Sequence, residues 1–209
     1  MKNCYIVAAG EISLLPENLG ADDFLIAADG GLETLIKNNI KPDLILGDFD
    51  SLGYKPEGAD VLELPIEKDD TDTLAAIKYA IKKGAEHIFI YGGTGGRTDH
   101  TIANLQSLSY IAKNNVEGFL ISEKEIFTVI ENKSITFSKR ASGNISVFSL
   151  SEKSKGVNIK GFYYELSDAV LENSYPLGVS NSFKGEEACV SVEDGSLLIV
   201  FSTSLDNIL

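Results

Sequence analysis

The chain has 209 residues, 44% of them hydrophobic and 23% charged, which is enough apolar material for one large domain or two small ones and too much for a disordered or fibrous chain. Its 18 basic and 31 acidic side chains leave a net charge of −13, which argues against a nucleic-acid or anionic-membrane partner and means that a phosphate-bearing substrate needs cations to approach. The longest apolar run near the N-terminus, from Cys4 to Ala9, is too short for a signal-peptide core or for the ~20 residues of a membrane span, so a cytoplasmic protein is expected.

In chain order, the short apolar runs Tyr5–Ala9, Phe24–Ala28, Leu44–Leu46, Val61–Leu64, His87–Tyr91 and Gly118–Ile121 predict strands. Leu74, Ile77 and Ile81 recur at helical spacing, as do Ile102, Leu105, Leu108 and Ala112. This alternation predicts βαβ units and a mostly parallel sheet with helices on both faces. Composition then changes: residues 1–124 hold 5 serines and the shorter stretch 125–209 holds 15. Beyond residue 124 the pattern is strand alternation, as in Ile145-Ser146-Val147 and Cys189-Val190-Ser191-Val192, so an all-β domain over 125–209 is expected. Asp194-Gly195, between two apolar runs, predicts a tight hairpin whose central residues both need positive φ. Cys4 and Cys189 stand in separate apolar stretches without metal-ligand spacing and are expected as buried free thiols.

Ligands of an open parallel sheet bind beyond the carboxyl ends of its strands, so the residues following each strand carry the functional information. They are Asp29-Gly30-Gly31, Gly47-Asp48-Phe49-Asp50-Ser51, Lys68-Asp69-Asp70-Thr71-Asp72 and the run Gly92–His100. In an extended segment Asp48 and Asp50 point the same way, and Asp69 and Asp72 share one face of a helix start. Four converging carboxylates repel one another unless they hold cations, and oxygen-only ligands suit Mg²⁺. Asp69, Asp70 and Asp72 have a second reading, as residues that cap a helix and favour its dipole. Gly92–Gly96 forms a strand-to-helix turn able to hold an anion, with Arg97 as a planar fork for phosphate oxygens. It matches neither a Walker A loop nor the dinucleotide fingerprint. His100 beside Asp99 invites a general-base role, although a histidine at a helix start more often bonds locally.

Together, Ala28–Gly31, Pro42–Ser51, Lys68–Asp72 and Gly92–His100 resemble the motifs of the thiamine pyrophosphokinase family, in the same order and at compatible spacing. The resemblance continues through Gly161-Phe162-Tyr163-Tyr164 and Pro176–Asn181, similar to the segments that line a thiamine pocket. It implies an α/β domain binding nucleotide and metal over residues 1–124, then a β-sandwich over 125–209 that binds thiamine and forms a homodimer. The implied reaction moves the diphosphate of ATP to the hydroxyl of thiamine, giving thiamine diphosphate and AMP. By the same resemblance, Asp48, Asp50, Asp69 and Asp72 are the catalytic residues and hold Mg²⁺, while Asp70 fills a variable position. Asp29, Gly30, Lys68, Gly95, Gly96, Arg97, Thr98 and Asp99 surround ATP, and Tyr164, Ser180 and Asn181 contact thiamine. Some members carry tryptophan where this chain has Tyr164, and the chain contains no tryptophan. The small β domain is expected to expose an apolar surface that dimerisation covers, placing the acceptor site at a subunit interface. The competing readings are a Mg²⁺-dependent diphosphotransferase with another hydroxymethyl acceptor, such as a pterin, and a nucleotide- or thiamine-binding protein without turnover.

Overall fold

Alternate residues of Asn3–Val7 (β1) face opposite sides, and Cys4 and Ile6 on one side and Val7 on the other are fully buried, as a strand covered on two faces requires. The structure, a computed structural model, describes residues 1–12, 14–16, 19–48, 60–65 and 69–209. Met1–Glu123 and Lys124–Leu209 each form a compact unit.

In the first unit β1 is followed by Phe24–Ala28 (β2), Gly31–Lys37 (α1), Leu44–Gly47 (β3), Asp60–Glu63 (β4), Asp72–Lys82 (α2), His87–Tyr91 (β5), Thr98–Lys113 (α3) and Glu117–Ile121 (β6). These strands run parallel in the order β6-β5-β1-β2-β3-β4. The helix α1 was not expected; with Leu32 and Leu35 as its buried apolar residues in seven positions, it is too short to display a period. Those leucines pack with Val7, Leu25, Ala27 and Ile45 on one face of the sheet. On the other face, Asn104 of α3 lies close to Ile90 and Leu120, and Tyr79 of α2 stacks on Phe24 at 6.2 Å. Helices therefore cover both faces, as predicted. The strand order reverses between β1 and β5, and at such a point the connecting segments part to leave a crevice.

The second unit is all-β. Ile126–Glu131 (β7), Ser134–Phe137 (β8), Asn144–Ser149 (β9), Lys153–Lys160 (β10), Leu166–Glu172 (β11), Gly178–Ser182 (β12), Ala188–Ser191 (β13) and Ser196–Phe201 (β14) precede a 3₁₀ turn at Leu205–Asn207. The orders β12-β9-β14-β7 and β11-β10-β13-β8 are antiparallel, and their inward residues share one core, so this unit is a β-sandwich. Phe137 stands at its centre, with Phe183 and Phe201 edge-on at 5.2 Å.

The expected hairpin at Asp194-Gly195 does not form: β13 pairs with β8 and β10, whereas β14 pairs with β7 and β9. Gly195 has φ +121, but Asp194 is absent from the positive-φ residues, so the tight turn lacks one of its two requirements. The Asp194 carbonyl instead accepts the Lys155 N–H at 2.8 Å, and Gly195 N–H donates to Asn132 Oδ1 at 2.9 Å. Local turn chemistry here carries the chain from one sheet to the other.

Candidate active site

Beyond the carboxyl ends of β1, β2 and β5 lies a cleft of about 450 Å³, within the range of small-molecule sites. Its walls come from Ala8–Gly10, from Asp29, from Asp70–Thr73 at the start of α2, and from the Gly92–Thr94 turn with Gly96 and Arg97 before α3. Pairing between β1 and β5 continues past both strands: Gly10 N–H donates to Gly92 O at 2.8 Å and Glu11 N–H to Thr94 O at 3.0 Å. Gly10 is required there, because a Cβ would fall within 2.5 Å of Thr94 O and closer still to Gly92 O. Asp29, at φ +46, occupies the left-handed region that Asp tolerates better than most residues. Its N–H donates to Leu46 O at 2.9 Å, so the neighbouring strand holds the bend.

The start of α2 separates the two readings of its aspartates. Thr71 is the N-cap, its Oγ1 accepting the Leu74 N–H at 3.2 Å, so none of the three aspartates occupies the capping position. Asp72, the first helical residue, and Asp70 both line the cleft. Lys78 Nζ donates to both oxygens of Asp70, at 2.7 and 2.6 Å, and sits 5.8 Å from the Tyr110 ring of α3. The variable position thus carries a charge that the chain itself neutralises.

At the start of α3, Arg97 donates to Asp99 through Nε at 3.2 Å and Nη2 at 2.6 Å. The hydrogen bond from Arg97, followed by that from the His100 backbone N–H, holds the Asp99 carboxyl below its usual range. Asn104, 5% exposed, donates from Nδ2 to Gly93 O at 2.9 Å and so fixes the glycine turn from below. His100 lines the cleft.

Of the residues expected around nucleotide and metal, Asp29, Asp72, Gly96 and Arg97 line this cleft. Asp48 directly follows β3 at the same sheet edge, and Gly30 precedes α1, but neither is part of the lining; the same holds for Asp69, Gly95, Thr98 and Asp99. Asp50 and Lys68 lie outside the described residues. Ala8–Gly10 and Asn104 were missed, the former because their place depends on β1 lying beside β5. Among the described residues no three Asp, Glu, His or Cys side chains form a metal-holding group. The acidic lining at Asp29 and Asp72, beside the Gly92–Thr94 turn, nonetheless fits a cation of the kind that takes one or two protein carboxylates and completes its shell with phosphate and water.

In the second unit, Tyr164 follows β10 and is 73% exposed, whereas Asn181 on β12 is 6% exposed. Asn181 Nδ2 donates to Tyr164 O at 2.6 Å, and its Oδ1 accepts the N–H groups of Tyr164 at 3.0 Å and Ser182 at 2.9 Å. Ser180 adopts φ +61, and its N–H donates to Ser146 Oγ at 3.1 Å. Asn181 thus ties the loop that holds Tyr164 to β12, the strand that also carries Ser180.

Comparison with known proteins bears on both units. Residues 16–120 match the family model for the thiamin pyrophosphokinase catalytic domain, and residues 132–197 match that for its vitamin B1 binding domain. The thiamine pyrophosphokinase of Bacillus subtilis (strain 168) is 30% identical over 213 residues, covering 97% of this chain and 100% of the relative. A crystal structure of thiamine pyrophosphokinase from Bacillus subtilis has a TM-score of 0.86 at 28% identity, covering 98% of this chain and 100% of that one. The thiamin pyrophosphokinase structure from Geobacillus thermodenitrificans gives 0.82 at 27% identity, covering 98% and 99%. With both family models matched in sequence and relatives aligned along nearly the whole fold, the chain belongs to the thiamin pyrophosphokinase family.

Proposed function

We propose that the first unit binds ATP in its cleft and that the chain transfers the terminal diphosphate of ATP to the hydroxyl of thiamine, releasing AMP. The observation that carries this reading is the meeting, at one sheet edge, of the Gly92–Gly96 backbone cradle with the Asp72 carboxylate. Transfer of a phosphoryl group asks little covalent chemistry of a protein; it asks for in-line placement and neutralised oxygen charge. The glycine turn and the N-terminus of α3, a helix of 16 residues, direct N–H groups at phosphate oxygens. Gly30, Gly95, Thr98 and Lys68 complete the nucleotide's surroundings, with Asp29 beside them. Arg97, poised by Asp99 at the cleft, presents its guanidinium plane to a phosphate.

Asp48, Asp50, Asp69 and Asp72 would hold Mg²⁺, which when bound neutralises charge on the transferring oxygens. In the second unit the exposed Tyr164 ring suits the cationic thiazolium of thiamine, an attraction of roughly 0.5–2 kcal/mol. The Ser180 hydroxyl offers both a donor and an acceptor to the pyrimidine edge. Exposed Tyr163, Tyr175, Leu177 and Val179 support a homodimer that covers them. The free cysteines support a cytoplasmic location, and among the described residues no helix is long and apolar enough to cross a membrane.

Incubating pure protein with ATP, Mg²⁺ and thiamine tests the reading. AMP and thiamine diphosphate are expected; ADP with thiamine monophosphate refutes it, and turnover of a hydroxymethyl pterin in place of thiamine refutes the acceptor.

A further inference from the structure

Asn181 has a hydrogen-bonding inventory that the protein itself nearly exhausts. Both acceptor positions of its Oδ1 are taken, by the N–H groups of Tyr164 and Ser182, and one of its two Nδ2 protons goes to Tyr164 O. Reversing the amide would set Nδ2 against two N–H donors, so the network assigns its orientation. What remains is one N–H on a residue only 6% exposed, a poor partner for a pyrimidine edge that needs donors and acceptors together.

The same amide meets both polar groups of the Tyr164 backbone, as a neighbouring strand would. The local backbone is bent to bring this about. β12 pairs with β9 at Gly178↔Val147 and Asn181↔Ile145, with a register shift between them that accommodates one extra residue. Ser180 absorbs that residue at φ +61, a conformation costly for a side chain other than glycine. Tyr163 N–H donates to Ser182 O at 3.1 Å, and Phe162, fully buried, bridges to Phe183. The backbone before and at Tyr164 is thereby pinned, while the residue as a whole stays 73% exposed.

We infer that Asn181 is a positioning residue for the acceptor: it fixes the backbone of Tyr164 and so presents that ring ready for the thiazolium, rather than contacting thiamine itself. The inference rests on the proposal that Tyr164 meets thiamine. Fixing the backbone before binding removes an ordering cost that the ligand would otherwise bear.

A double-mutant cycle tests it, with the KM values for thiamine and for ATP measured in the full chain. Asn181→Ala is expected to raise the thiamine KM about tenfold with Tyr164 present and less than about twofold in a Tyr164→Ala background, with the ATP KM unchanged throughout. A general structural defect would move the ATP KM as well, and that result overturns the inference. Equal increases in both backgrounds mean that Asn181 contacts thiamine directly, and also overturn it. If Tyr164→Ala leaves the thiamine KM unchanged, the placement of Tyr164 at the acceptor site falls and the inference falls with it. Should Asn181→Ala not fold, Asn181→Asp, which keeps the size and the acceptors but loses the proton given to Tyr164 O, runs the same cycle.

Discussion

Replacing Gly10 by alanine puts a methyl group against two backbone carbonyls, those of Gly92 and Thr94, both of which already accept hydrogen bonds from the Gly10–Glu11 segment. A carbon normally approaches a carbonyl oxygen no closer than about 3.3 Å, so the glycine turn has to retreat by roughly 1 Å. Both bonds then break, at about 0.5–1.5 kcal/mol each, while the less flexible unfolded chain returns about 0.4–1 kcal/mol. The net expectation is a loss of up to about 2.6 kcal/mol in stability, centred on about 1.3 kcal/mol. Function suffers more, because a shift of about 1 Å in a positioning element can cost a hundredfold in rate. Gly96→Ala supplies the contrast: the nearest atom to its Cβ is Gly10 Cα at 3.7 Å, so the fold accepts the methyl, which then sits beside the phosphate cradle. Its stability is expected within about 0.5 kcal/mol of the parent, with weaker ATP binding. Urea unfolding with and without ATP, together with the ATP KM, reads both effects. A Gly10→Ala protein matching the parent in midpoint and KM refutes the packing argument.

Asp72→Asn and Asp48→Asn each remove a charge with little change of shape; turnover is expected to fall by orders of magnitude with urea midpoints nearly unchanged, and near-normal rates in both would leave Asp72 with only a helix-dipole role. Lys78→Met strands the Asp70 carboxylate in the cleft, so the ATP KM is expected to rise several-fold and to recover when Asp70→Asn is added; no recovery means that the ion pair does not govern the cleft's charge. Burial, with the nearby Asp43 charge second, pushes the Cys4 thiol up to about 12, so iodoacetamide at pH 8 is expected to modify Cys189 and to spare Cys4 until the chain unfolds. The stability linked to a neutral Cys4 is complete below the ordinary thiol range and is lost as pH rises toward that value; prompt native-state labelling of Cys4 contradicts its burial.

What the sequence could reveal depended on how local the cause was. β2 and β5 were legible to the residue because each is a short apolar run bounded by turn formers. The motifs after those strands were legible because chemistry collects at strand ends. The Asp70–Lys78 pair was not, since a motif reading treats Asp70 as variable and cannot see that a lysine one and a half turns into α2 reaches back to it. Asn181 stood out in the sequence as part of a family-like segment, but its hydrogen bonding did not, because that needs β12 and the loop after β10 side by side. Asp194-Gly195 misled for a related reason: its turn chemistry is local, but the partners of the flanking strands are chosen by a core spread over the whole second unit.

The reversal of strand order between β1 and β5 also governs when the cleft comes into being. Asn3 pairs with His87, 84 positions later, and the Gly10 and Gly92 segments meet only once that pairing is made. Closing so long a loop costs entropy before any contact offsets it, and pairings of this kind slow folding. A chain emerging from a ribosome therefore has no cleft until β5 and the turn after it have been synthesised and have found the strand made first. If the first unit binds nucleotide as proposed, the free energy of binding adds to the stability of that finished unit and to no earlier intermediate.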